Sequence, residues 1–127
     1  MVDMLQGVIK EGTGRRARTL NMPVAGKTGT TNDFKDALFV GFSPAVAAGV
    51  WVGMDDSSPL GNGETGARAA LPVWIDFMEA TRPESTLLYY DIPDNMKKLL
   101  IDPVTGREAV DGDKGAVKAL FANGTEP

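Results

Sequence analysis

Apolar residues at Met4, Leu5, Val8 and Ile9 recur at helical spacing and predict an amphipathic helix over residues 2–11, with Gly12 as its C-cap. The pattern breaks at Gly14-Arg15-Arg16-Ala17-Arg18, a basic connection that reads as a solvated loop, although three arginines there could also hold an anion. Residues 23–31 predict a strand opened by Pro23. Its period of two puts Thr28 and Thr30 on one face and Lys27 on the other, so all three meet a common ligand only if the strand lies at a sheet edge beside a cleft. Glycines 26 and 29 weaken a strand interior and suit a position where something approaches the backbone closely.

Asn32, Asp33 and Asp36 supply turn chemistry, after which residues 37–42, rich in aromatic and branched side chains, predict a second strand that Ser43-Pro44 ends. Residues 46–54 are near-continuously apolar and predict a third, central strand covered on both faces. The short connections require an antiparallel meander. A loop over residues 55–63 leads to a helix over 64–82, with Ala67, Ala70, Leu71, Trp74, Met78 and Thr81 on its packed face. Pro72 means either that this helix is kinked or that its regular part begins there. Trp74 and Met78 read as core.

Beyond Arg82 the pattern predicts an extended piece over 87–92 and strands over 96–101 and 108–110 joined by a turn at 102–106. A helical turn over 116–121 then precedes a frayed tail. Asp111 and Asp113 faintly suggest a calcium loop, but the downstream glutamate that such a loop needs is missing, so a solvated turn is the better reading. The expected fold class is α+β, an antiparallel sheet with helices packed on it. Residues 1–82 form the main body and 83–127 a C-terminal extension with a small hairpin and tail.

Composition narrows the chemistry. Thirteen basic and seventeen acidic residues, scattered along 127 positions with a net charge of −4, argue against a nucleic-acid partner. Without cysteine or histidine there are no disulfides, no thiolate metal sites and no imidazole base, so acid–base work falls to Lys, Asp, Glu or Tyr.

Lys27-Thr28-Gly29-Thr30 resembles the Lys-Thr-Gly box of the penicillin-binding proteins and serine β-lactamases. The residues that follow, from Thr30 through Asp33-Phe34-Lys35-Asp36 to Gly41-Phe42-Ser43-Pro44, are similar to those of class A, bifunctional penicillin-binding proteins. A second block, Gly63-Glu64-Thr65-Gly66-Ala67-Arg68-Ala69-Ala70-Leu71-Pro72-Val73-Trp74 through Phe77-Met78, resembles a helix of the same family, in the same order. Leu38 stands where that family usually has tryptophan, and Arg68 where a small residue is more usual.

The resemblance implies the C-terminal part of a transpeptidase domain. Its partners would be peptidoglycan stem peptides, the β-lactams that mimic them and the upstream part of the same domain, and no metal or organic cofactor would be needed. Lys27 would hold the potential of the cleft positive. The hydroxyls of Thr28 and Thr30 would bind the terminal carboxylate, the Thr30 N–H would give half of an oxyanion hole, and Gly29 would let substrate lie against the strand. The parent protein would also carry a glycosyltransferase domain and a membrane anchor, and would sit at the periplasmic face of a bacterial inner membrane. In such a family the Asn123-Gly124-Thr125 sequon is accidental.

The family's Ser-x-x-Lys and Ser-x-Asn motifs do not occur in this chain, so it is expected to be inactive alone. Two other readings remain: a piece of a D,D-carboxypeptidase or β-lactamase, which share the box, or a non-catalytic binding or structural module. An isolated partial sheet is also expected to self-associate through its open edges and apolar face.

Overall fold

The computed structural model describes residues 1–84 and 89–127, which divide into two compact units, Met1–Tyr90 and Asp91–Pro127. Helix α1 (Val2–Lys10) opens the first unit, with Asp3 in its first turn and Lys10 in its last, each favourable to the helix dipole. Only its last turn reaches the core: Ile9 is buried, whereas Met4, expected on the packed stripe, is exposed. Gly12 is not the left-handed cap that the sequence suggests. Glu11 ends the helix, and the chain doubles back so closely that a Cβ on Gly12 would collide with the backbone of Val8.

The connection expected to be a loop is instead a 3-10 turn over Arg15–Leu20. Its Ala17 and Leu20 are buried while Arg15, Arg16 and Arg18 face water, so burial of two apolar residues organises the basic stretch.

Strands β1 (Ala25–Thr30), β2 (Asp36–Phe42) and β3 (Ala47–Gly53) form an antiparallel meander in the order β1-β2-β3. The expectation of a central third strand is not met: among the described residues β2 is central and β3 has a strand neighbour on one side only. Ala47, Gly49 and Trp51 are exposed while Ala48, Val50 and Val52 pack inward, so one face alone is covered. Small residues on the open face made the run look uniformly apolar.

Of the two readings of Pro72, the second holds. A π-turn over Gly66–Ala70 leads into α2 (Leu71–Ala80), with proline in the first turn of the regular helix. Its fixed φ suits the first turn of the regular helix, at the point where the π-turn gives way to α-helix. Ala70, Leu71, Trp74 and Met78 are buried as expected, but Thr81 is exposed and returns its hydroxyl to Phe77 O at 2.9 Å.

Phe39 and Trp74 are fully buried with ring centroids 4.8 Å apart, and Trp74 Nε1 donates to Ala48 O at 3.1 Å. A side chain at Gly41 would run into both rings, so that glycine keeps the tryptophan against the sheet. Tyr90 closes the unit with its hydroxyl donating to Phe42 O at 2.9 Å and its ring edge-on to Phe42.

In the second unit β4 (Met96–Ile101) pairs with β5 (Val117–Ala122), from Met96↔Ala122 to Ile101↔Val117. The helical turn expected over 116–121 is therefore a strand. The expected strand over 108–110 reduces to a single bridge between Glu108 and Ile101. Residues 87 and 88 of the expected extended piece lie outside the described residues, and 89–92 form no strand.

The turn at 102–106 is present, with Gly106 at φ 72° donating to Asp102 O at 2.8 Å. The Asp102 carboxylate accepts from Val104 N and the Thr105 hydroxyl, and these bonds hold its pKa below the ordinary value. Asp113 accepts from Val110 N at 3.0 Å in a local turn. Among the described residues no group of three or more His, Cys, Asp or Glu is placed to hold a metal, and no helix is long and apolar enough to cross a membrane.

Candidate functional site

Strand β1 has a strand neighbour on one side only among the described residues, so no strand pairs with its outer rim, although α1 packs against β1. The ladder sets its faces. Thr28 pairs with Phe39 and Thr30 with Ala37, both buried, while Lys27 pairs with Val40 and Gly29 with Leu38 on the opposite face. Lys27 nevertheless reaches Thr28: its Nζ donates to Thr28 O at 2.8 Å and to Thr28 Oγ1 at 3.3 Å, folding the ammonium along the rim. The structure thus joins Lys27 to Thr28 directly and to Thr30 only through the strand.

Each threonine of the box has a partner from outside the strand. Thr28 Oγ1 lies 2.8 Å from Thr13 Oγ1, and Gly66 donates its backbone N–H to Thr30 Oγ1 at 3.1 Å. Both partners come from glycine-governed turns. Gly12 and Gly14 flank Thr13 where the chain folds back along α1, and Gly66 opens the π-turn that packs on the β1–β2 ladder. At Gly66 a Cβ would collide with the carbonyls of Leu38 and Gly29, whereas at Gly29 it would meet only the Leu38 side chain, at 3.3 Å for Cβ. Glycine at 66 is therefore compulsory for packing, and glycine at 29 is demanded only mildly from within the chain.

Just past the box, Thr31, Asp36 and Trp51 form a clasp. Thr31 Oγ1 donates to Asp36 Oδ2 at 3.1 Å and accepts from Asp36 N at 2.8 Å, while Trp51 Nε1 donates to Asp36 Oδ1 at 2.9 Å. This ties the hairpin end of β1 to β3 across the central strand. Thr13 and Gly66 were not singled out as site residues by the sequence. The signal available for them was local: a threonine bracketed by glycines, and a Thr-Gly pair at a helix entrance.

A shallow cleft of about 370 Å³ lies beside the start of β1, lined by residues that include Gln6, Lys10, Arg18, Asn21 and Met22 and by none of the box residues. Of the three arginines weighed as an anion site, only Arg18 lines it.

The similarity to known proteins covers essentially the whole chain. It is 46% identical over 129 residues to penicillin-binding protein 1A of Aquifex aeolicus, covering 99% of this chain and 17% of that protein. With penicillin-binding protein 1A of Pseudomonas aeruginosa it shares 45% identity over 128 residues, covering 100% of the chain and 16% of the relative. The crystal structure of penicillin-binding protein 1A from Haemophilus influenzae superposes with a TM-score of 0.84 at 32% identity, over 97% of this chain and 19% of that one. The chain belongs to the class A penicillin-binding proteins. It spans about a sixth of the length of the curated relatives it matches. No protein-family model matches it. The α+β fold expected of a partial penicillin-binding-protein domain is the one observed, and family membership makes Lys27-Thr28-Gly29-Thr30 the stretch to test first.

Proposed function

We propose that this chain is the C-terminal part of a transpeptidase domain that cross-links peptidoglycan stem peptides through a serine acyl-enzyme and binds penicillin. The observation that carries the reading is the rim of β1 that no strand pairs among the described residues, beside which Lys27, Thr28 and Thr30 present one ammonium and two hydroxyls. An extended peptide ending in a carboxylate suits such a rim: main-chain pairing holds its backbone, and the hydroxyls with the nearby cation hold its terminus.

In this reading the nucleophilic serine comes from the upstream part of the domain. Its oxygen attacks the penultimate D-alanine carbonyl, the peptide C–N bond breaks, and the terminal D-alanine leaves with a proton on its nitrogen. The Thr30 N–H and one upstream N–H stabilise the oxyanion. Lys27 keeps the local potential positive and takes part in proton transfer around the serine. An amine on a neighbouring stem peptide then attacks the ester carbonyl and frees the serine. The parent protein would add a glycosyltransferase domain and a membrane anchor, at the periplasmic face of the inner membrane.

Labelling with a fluorescent penicillin tests the reading, on this chain and on the same chain with the upstream residues of its gene restored. Covalent label on the longer form alone is the expected result. Label on neither form would end the transpeptidase reading, and label on the short chain would place a nucleophile where none is assigned.

A further inference from the structure

The geometry points to Thr13 as a positioning residue for the proposed carboxylate site, setting the hydroxyl of Thr28 as a donor toward the ligand. This inference rests on the transpeptidase reading and extends it outside the Lys-Thr-Gly-Thr box.

A threonine hydroxyl has one proton to give and two lone pairs to fill. At Thr28 Oγ1 one lone pair faces Lys27 Nζ at 3.3 Å, an ammonium that can only donate. The other neighbour is Thr13 Oγ1 at 2.8 Å, where either hydroxyl can be the donor. With the site empty, the Thr28 proton can rest on Thr13. When a carboxylate arrives, which only accepts, Thr28 turns its proton to the ligand and Thr13 donates into the vacated lone pair. Thr28 is then saturated, with Lys27 and Thr13 donating in and its own proton donated out.

The companion hydroxyl follows the same logic. Thr30 Oγ1 already accepts from the N–H of Gly66, and its own proton remains to be given. A hydroxyl whose acceptor side is engaged is polarised and donates more strongly. Thr13 itself is solvent-exposed and reaches Thr28 from a turn 15 residues earlier in the chain.

The test uses the full-length protein with Thr13→Val, which keeps the shape and removes the hydroxyl, and Thr13→Ser, which restores it. Acylation rate constants are compared for a β-lactam carrying its carboxylate and for the same β-lactam with that group as a neutral carboxamide. In Thr13→Val the preference for the carboxylate over the carboxamide is expected to fall about fivefold to tenfold, with recovery in Thr13→Ser. The carboxamide rate should stay within about twofold of the parent, because it lacks the charge that the relay serves.

Equal losses for both ligands would make Thr13 merely structural and overturn the assignment, as would an unchanged preference. Thr13→Ala gives the same comparison should the valine variant fail to fold. A parent protein that neither ligand acylates would instead remove the transpeptidase reading and this assignment with it, an outcome distinct from the first two.

Discussion

Gly66 and Leu38 are in backbone contact: the π-turn that Gly66 opens lies so flat on the β1–β2 ladder that the Leu38 carbonyl occupies the space a Cβ would need. The same contact aims the Gly66 N–H at Thr30 Oγ1, 3.1 Å away, so packing and site geometry share one residue. Gly66→Ala is expected to cost about 3 kcal/mol, because the obstruction is backbone and cannot swing aside. Gly29→Ala, whose Cβ meets a side chain at 3.3 Å, should cost about 1 kcal/mol or less. Urea denaturation of the two variants measures the difference, and equal midpoints would refute the contact.

Tyr90 makes stability fall at alkaline pH. Burial raises its pKa from the ordinary 10.0 to about 12, and its neutral hydroxyl donates to Phe42 O. A folded-state pKa above the unfolded one means that stability is full below about pH 10 and is lost as pH rises toward about 12. Thermal unfolding of the chain and of Tyr90→Phe between pH 9 and 12 is the check. The variant should lack this part of the alkaline loss, and parallel profiles would exclude Tyr90 as a source.

The open face of the sheet should drive self-association of the isolated chain. Val40 and Trp51 are each 57% exposed there, near Leu38, and β1 and β3 are both edges among the described residues. Light scattering across a concentration series is expected to show growth of oligomers, and Val40→Lys to reduce it. A monomer at every concentration would count against an apolar docking face for the upstream part of the domain.

The meander was legible because β-branched and aromatic runs alternate with unambiguous turn residues at 32–36 and 43–45. Strand β5 was not, because Val117, Leu120 and Phe121 also stand at helical i, i+3, i+4 spacing and only the ladder to β4 decides between the periods. The exposed face of β3 was not legible for a related reason: alanine and glycine satisfy an exposed face as readily as a buried one. Within the candidate site, Lys27 to Thr30 were visible as chemistry. Thr13 and Gly66 were not, since their hydrogen bonds span 15 and 36 residues and depend on two close backbone approaches that no local pattern encodes.

The open rim of β1 has a bearing on how this protein could escape an inhibitor. A ligand held by side chains can be shed by replacing them one at a time, but one laid along the rim is gripped partly by amides present whatever the side chains are. Short of proline, a substitution in the strand leaves that row intact. On the proposed reading, resistance that spares the substrate would therefore have to work by tilting or shifting the strand. The residues able to do so are its remote anchors: the clasp of Thr31, Asp36 and Trp51 at one end, and the seat of Gly66 on the ladder.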